Sequence, residues 1–115
     1  MREVLVFRSK YRSRLEIVAD ILNIVRKGSK KTHIMFQANL SYRLLCRYLD
    51  EVLEAGLIRV DDSLSNYYFL TEKGELFLAR FHEYIERKRE VEKELRSITE
   101  EKLALERMLE GADEG

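Results

Sequence analysis

Residues 37–58, QANLSYRLLCRYLDEVLEAGLI, decide how this 115-residue chain folds. At 100° per residue, Leu44, Leu45, Tyr48, Leu49, Val52 and Leu53 fall on one half of a helix. Arg43, Cys46, Arg47, Asp50, Glu51 and Glu54 fall on the other. The spacing predicts a helix capped at its start by Ser41, running to about Ala55 and stopped by Gly56. Its polar half begins basic, with Arg43 and Arg47, and ends acidic, with Asp50, Glu51 and Glu54. A helix dipole favours the opposite order. An Arg47–Glu51 pair one turn apart returns only about 0.3–0.5 kcal/mol, so something outside the helix must offset the inversion.

Upstream, Leu15, Val18, Ile21, Leu22 and Val25 mark an amphipathic helix over 12–27, with Ser13 to cap it and Gly28 to end it behind Arg26 and Lys27. Thr32 caps a short helix to Ala38. About three residues then separate the second helix from the third, the spacing of a helix-turn-helix. Downstream, LIRV (57–60) and NYYFL (66–70) are β-prone runs joined by DDSLS (61–65), which reads as a hairpin. Thr71 caps a last helix that meets no Gly after 74 and no Pro before Glu110, a length of nearly 60 Å at ~1.5 Å per residue. The expected organisation is mainly α with a small β-hairpin. It comprises a helix-turn-helix domain over 1–70, a long helix over 71–110 and a disordered tail over 111–115.

Hydrophobic residues make up 45% of the chain and charged residues 37%, against a usual ~25% charged. The single cysteine, Cys46, excludes an internal disulfide and suits a reducing compartment. VLVF (4–7) is too short for a signal peptide, and no apolar run approaches the ~20 residues of a membrane span. A soluble, cytoplasmic protein is expected. The net charge of zero hides a segregation. Residues 1–49 hold eleven Lys/Arg against three Asp/Glu, a balance of +8, and residues 50–115 hold ten against eighteen, a balance of −8. Solubility alone does not require such separation, whereas a basic surface for a polyanion does.

The last helix carries an unbroken heptad stripe. Phe77, Phe81, Tyr84, Lys88, Val91, Leu95, Ile98, Lys102, Leu105 and Leu109 alternate in steps of four and three. A narrow 3.5-residue repeat of this length calls for a second long helix, and the chain has no other, so a homodimer is expected. Lys88 and Lys102 interrupt the apolar seam two heptads apart, where polar residues fix register.

Helix, short helix, tight turn, YRLLCRYLDEVLEAGLI, hairpin and YYFLTEKGELFL together resemble a winged helix-turn-helix domain. KTHIMFQANLSYRLLCRYLDEVLEAGLI followed by the heptad helix is closer still to archaeal winged-helix proteins that bind DNA and dimerise through an antiparallel coiled coil. The resemblance covers roughly residues 10–110. It implies a dimer that sets two recognition helices on duplex DNA, as a transcriptional regulator or chromatin-type, nucleoid-associated protein. By matching position it nominates Lys31, Thr32, His33, Asn39, Ser41, Tyr42, Arg43 and Arg47.

The hairpin departs from the family pattern. Its only base is Arg59, beside Asp61 and Asp62, which leaves Ser63, Ser65 and Asn66 as donors to a phosphate. Arg8, Lys10, Arg12 and Arg14 form either a phosphate-touching arm or a solvated leader. His33 and His82 have no ligand partners at metal spacing, and neither a phosphate-cradling glycine loop nor a nucleophile–base pair is present. No enzyme, cofactor, metal, membrane or small-molecule role is expected. The competing roles are a protein-interaction module of the transcription machinery and a double-stranded RNA binder.

Overall fold

The computed structural model describes residues 12–64 and 66–111. In chain order these form α1 (Arg14–Ile24), a 3-10 turn (Val25–Lys27), β1 (Ser29–Lys30), α2 (Lys31–Ala38), α3 (Tyr42–Glu54), β2 (Ile58–Asp61), a 3-10 turn (Asp62–Leu64), β3 (Tyr67–Leu70) and α4 (Glu72–Gly111). The chain divides into two units between Phe81 and His82. Residues 72–81 of α4 belong to the first unit, and the rest of that helix to the second.

The local chemistry explains the boundaries. Ser13 and Glu16 form a reciprocal capping box at α1: the Ser13 side chain accepts from Glu16 N at 3.2 Å, and Ser13 N donates to Glu16 Oε1 at 2.8 Å. Gly28, at φ 91°, turns the chain after the 3-10 segment. A Cβ there would also lie 2.5 Å from Phe69 Cε1, so the residue is fixed by conformation and by space. Ser41 caps α3 by accepting from Leu44 N at 3.2 Å. Thr71 does two things at once: its Oγ1 accepts from Gly74 N at 3.1 Å and donates to the Gly56 carbonyl at 2.6 Å. Lys73 Nζ donates to the Ala55 carbonyl at 2.7 Å, so the start of α4 satisfies carbonyls that the end of α3 leaves open.

The core of the first unit is one apolar cluster. Ile21, Leu22 and Val25 meet Ile34, Leu45, Leu49, Val52 and Leu78, all essentially inaccessible to solvent. Each such side chain contributes about 1.5–3 kcal/mol by leaving water. Phe77 and Phe81 are partly buried against the same cluster, so the first two members of the heptad series help to pack the globule.

The expected hairpin is present, with Ile58 opposite Leu70 and Asp61 opposite Tyr67. The sequence reading missed its third neighbour. β1 pairs antiparallel with β3, Ser29 opposite Tyr68 and Lys30 opposite Tyr67, giving the order β1-β3-β2. A two-residue strand has no periodicity to detect. It also moves the start of the second helix: Lys30, extended, is the N-cap and makes no side-chain capping bond, where Thr32 was expected to cap.

Candidate nucleic-acid interface

The α2–turn–α3 segment brings the nominated residues into one region. Asn39, at φ 56°, closes α2 in the left-handed conformation that Asn tolerates, and Leu40 and Ser41 complete the turn. Thr32, His33, Asn39, Ser41, Tyr42, Arg43 and Arg47 are exposed, and Lys31 is half-buried. Arg43 and Arg47, one turn apart, make no ion pair with another described residue.

Lys31 crosses the turn. Its Nζ lies 3.5 Å from Tyr42 Oη and 5.1 Å from the Tyr42 ring centroid. Burial works against its charge, but hydrogen bonds with Cys46 and Tyr42 outweigh that and hold the ammonium above its ordinary pKa. Tyr42 is 60% exposed, so an ammonium and a phenol stand together at the first turn of α3.

The acidic end of α3 is handled differently from what a local pairing would give. Glu51 pairs with Arg14 from α1, not with Arg47. That contact leaves Arg47 unpaired among the described residues while neutralising an acid on the same helix. Asp50 and Glu54 remain exposed toward the end of α3.

Two of the four arm candidates are therefore engaged within the fold. Arg12 Nη1 lies 2.5 Å from Asp20 Oδ2, and its Nη2 donates to the Ala38 carbonyl at 2.5 Å, with the Asn39 carbonyl at 3.5 Å. Its side chain is only 7% exposed. It ties α1 to the end of α2, where a cation also meets the negative end of the helix dipole. Arg14 is exposed but held by Glu51. Neither residue is a loose arm. Arg8, Lys10 and Ser65 lie outside the described residues.

In the hairpin, the Arg59 guanidinium carbon sits 4.8 Å from the Phe69 ring centroid, and Tyr67 stacks beside Phe69 at 6.3 Å. Ser63 donates to Asp61 Oδ1 through both its N (3.1 Å) and its Oγ (2.6 Å). These two hydrogen bonds, with the Arg59 charge, hold the Asp61 carboxyl below its ordinary pKa. The turn is thus firmly anionic, and the side chain of Ser63 is already committed.

This arrangement of helix, helix, turn, helix and three-stranded sheet matches known proteins. The family model described as winged helix-turn-helix matches residues 11–89. The chain belongs to the winged helix-turn-helix family. Two uncharacterized proteins of Methanocaldococcus jannaschii are similar to this winged helix-turn-helix chain. One is 33% identical over 76 residues, covering 65% of this chain and 75% of that protein. The other is 38% identical over 73 residues, covering 63% of this chain and 33% of the relative. Among solved structures, Sso10a-2, a DNA-binding protein from Sulfolobus solfataricus, superposes with a TM-score of 0.70 at 24% identity, over 77% of this chain and 95% of that one. The multiple antibiotic-resistance repressor MarR from Listeria monocytogenes 4b F2365 has a TM-score of 0.51 at 15% identity, over 82% and 73%. The MarR family transcription regulator SP03579 gives 0.53 at 23% identity, over 95% and 78%. At these identities the structures establish likeness of fold. No described helix is long and apolar enough to cross a membrane.

The nominated seam residues beyond the first unit are laid out along α4. Tyr84, Val91, Leu95, Ile98, Leu105 and Leu109 are all exposed. Lys88 lies 4.0 Å from Glu92 and Lys102 lies 3.1 Å from Glu106, each pair one turn apart.

Proposed function

We propose that this winged helix-turn-helix protein is a DNA-binding regulator or chromatin-type protein. It acts as a homodimer and meets duplex DNA through the start of α3. The observation that carries the reading is the state of Arg43 and Arg47. Both are exposed at successive turns and unpaired among the described residues, while Glu51 of the same helix is neutralised from α1. Lys31 and Tyr42 add an ammonium and a phenol at the same helix start. Arginine reads guanine edges bidentately in the major groove, and the surrounding donors contact phosphate.

Dimerisation is assigned to α4, where six exposed apolar residues follow a 3.5-residue repeat along a continuous helix. A pairing helix supplies two linked DNA contacts per particle, which raises affinity without any new contact. Its working place is the nucleoid, in the cytoplasm. No enzymatic role is assigned to it.

The test is a titration against short duplexes across a range of salt, with enrichment for preferred sequences. A steep fall of affinity with salt is expected, because counterion release accompanies every phosphate contact. Arg43→Ala and Arg47→Ala should each weaken binding by about 1–3 kcal/mol with the thermal melt unchanged. Wild-type protein that ignores duplex DNA at low salt would mark a protein-interaction module. Preference for an A-form competitor would mark an RNA binder.

A further inference from the structure

The hairpin poses a problem for DNA binding. Its turn presents Asp61 and Asp62, and Asp61 is held ionised by Ser63, so that turn repels phosphate. Arg59, the one base of the hairpin, lies over the Phe69 ring. The β1 side of β3 has the opposite character. A cleft of about 280 Å³ opens there, lined by Lys30, Lys31, Thr32, Asn66 and Tyr68. Three elements build it: β1 and the first turn of α2, joined without a gap, and the start of β3.

The lining holds two ammoniums, a hydroxyl, a carboxamide and a phenol, and no carboxylate. Such a set can donate several hydrogen bonds and balance one negative charge. Both lysines are steadied by aromatic rings. Lys31 Nζ sits 5.1 Å from the Tyr42 centroid and Lys30 Nζ 5.7 Å from that of Tyr67, so less side-chain freedom is lost on meeting an anion. The Lys31–Tyr42 contact also connects this cleft to the first turn of α3. At about 30 Å³ per water, the volume has room for a phosphodiester group and several waters.

We infer that this cleft seats one backbone phosphate of the bound duplex, so that the sheet touches DNA on the β1 side of β3 rather than along β2. The inference rests on the DNA-binding reading above and adds Lys30 and Tyr68 to the interface. Contact there places the phosphate across β3 from the strand that carries Asp61. It also makes the hairpin a positioning device that carries no sequence information, since phosphates are alike in every sequence.

The salt dependence of duplex binding tests it. Lys30→Ala should lower the slope of log affinity against log salt by about 0.9, the share of one phosphate contact, equally on preferred and unrelated sequences. Lys30→Arg should restore the slope. Asn66→Asp, which keeps a residue type tolerant of the left-handed backbone, should weaken binding at low salt with an unchanged thermal melt. An unchanged slope for Lys30→Ala, or wild-type affinity for Asn66→Asp, overturns the phosphate seat. If Arg43→Ala still weakens binding in that case, only the seat has failed. If the wild-type chain does not bind duplex at all, both readings fall together.

Discussion

Arg12 is a cation that the fold keeps for itself. Its guanidinium joins Asp20 on α1 to the carbonyls that end α2, and it is almost fully enclosed. Arg12→Ala should cost about 1.5–3 kcal/mol of stability, the usual range for hydrogen bonds to a charged group, measured by denaturant unfolding. Asp20→Asn separates positioning from charge. Removing an acid strengthens binding to a polyanion by electrostatics alone, yet here it loosens the clamp that sets α2 against α1. Weaker DNA binding by Asp20→Asn, at a temperature where the fold is intact, is the expected result; stronger binding would show that the clamp does not position the interface. Sequence alone could not have found this pair, because Asp20 lies eight residues from Arg12 and the receiving carbonyls twenty-six and twenty-seven residues away.

At the scale of elements, α4 is joined by close approach to the segment that follows α3 and to the end of β3. Gly74, in the first turns of α4, packs so near the Leu57 carbonyl and Leu70 Cδ1 that a Cβ has no room. Gly74→Ala should destabilise the first unit by about 1–3 kcal/mol, despite the gain in helix propensity, as read from a thermal or denaturant transition. Arg26 Nη2 also joins Glu75 Oε1 at 2.8 Å, tying the turn after α1 to α4. That hydrogen bond, with the Arg26 charge, holds the Glu75 carboxyl below its ordinary 4.5. A depressed pKa stabilises the fold at pH above the unfolded value, and the gain is lost as pH falls through the folded value. Glu75→Gln should therefore flatten the acid limb of the stability profile below about pH 4.5, with its loss of stability greatest at neutral pH and vanishing in acid. The pair is exposed, so the effect is small.

At the scale of the whole molecule, the proposed dimer depends on α4 beyond Phe81. Truncation after Arg87 should yield a monomer by sedimentation, with much weaker DNA binding, because the two sites lose their linkage. A truncated chain that remains dimeric would place the interface elsewhere. Replacing Lys88 and Lys102 together by Leu should raise the thermal midpoint and broaden the population of orientations or oligomers, since polar seam residues trade stability for register. A double variant that stays one dimeric species of unchanged scattering profile would remove the register role. The inverted charge order of α3 also belongs at this scale. Its cost is a few tenths of a kcal/mol per charge, and duplex DNA at the basic end would offset it.

Periodicity and caps determined much of this protein by themselves. The three short helices, the hairpin, the long α4, and the capping roles of Ser13, Ser41 and Thr71 follow from contacts within a few residues, where spacing and backbone chemistry are sufficient. The exposed start of α3, with Arg43 and Arg47 on one ridge, was legible for the same reason. Only the tertiary structure decided the rest. It added β1, moved the start of α2 to Lys31, gave Glu51 to Arg14, buried Arg12 and placed Lys30 and Tyr68 on one cleft. Each of these joins residues far apart in the chain, and their partners are chosen by how the elements pack, which no local pattern encodes.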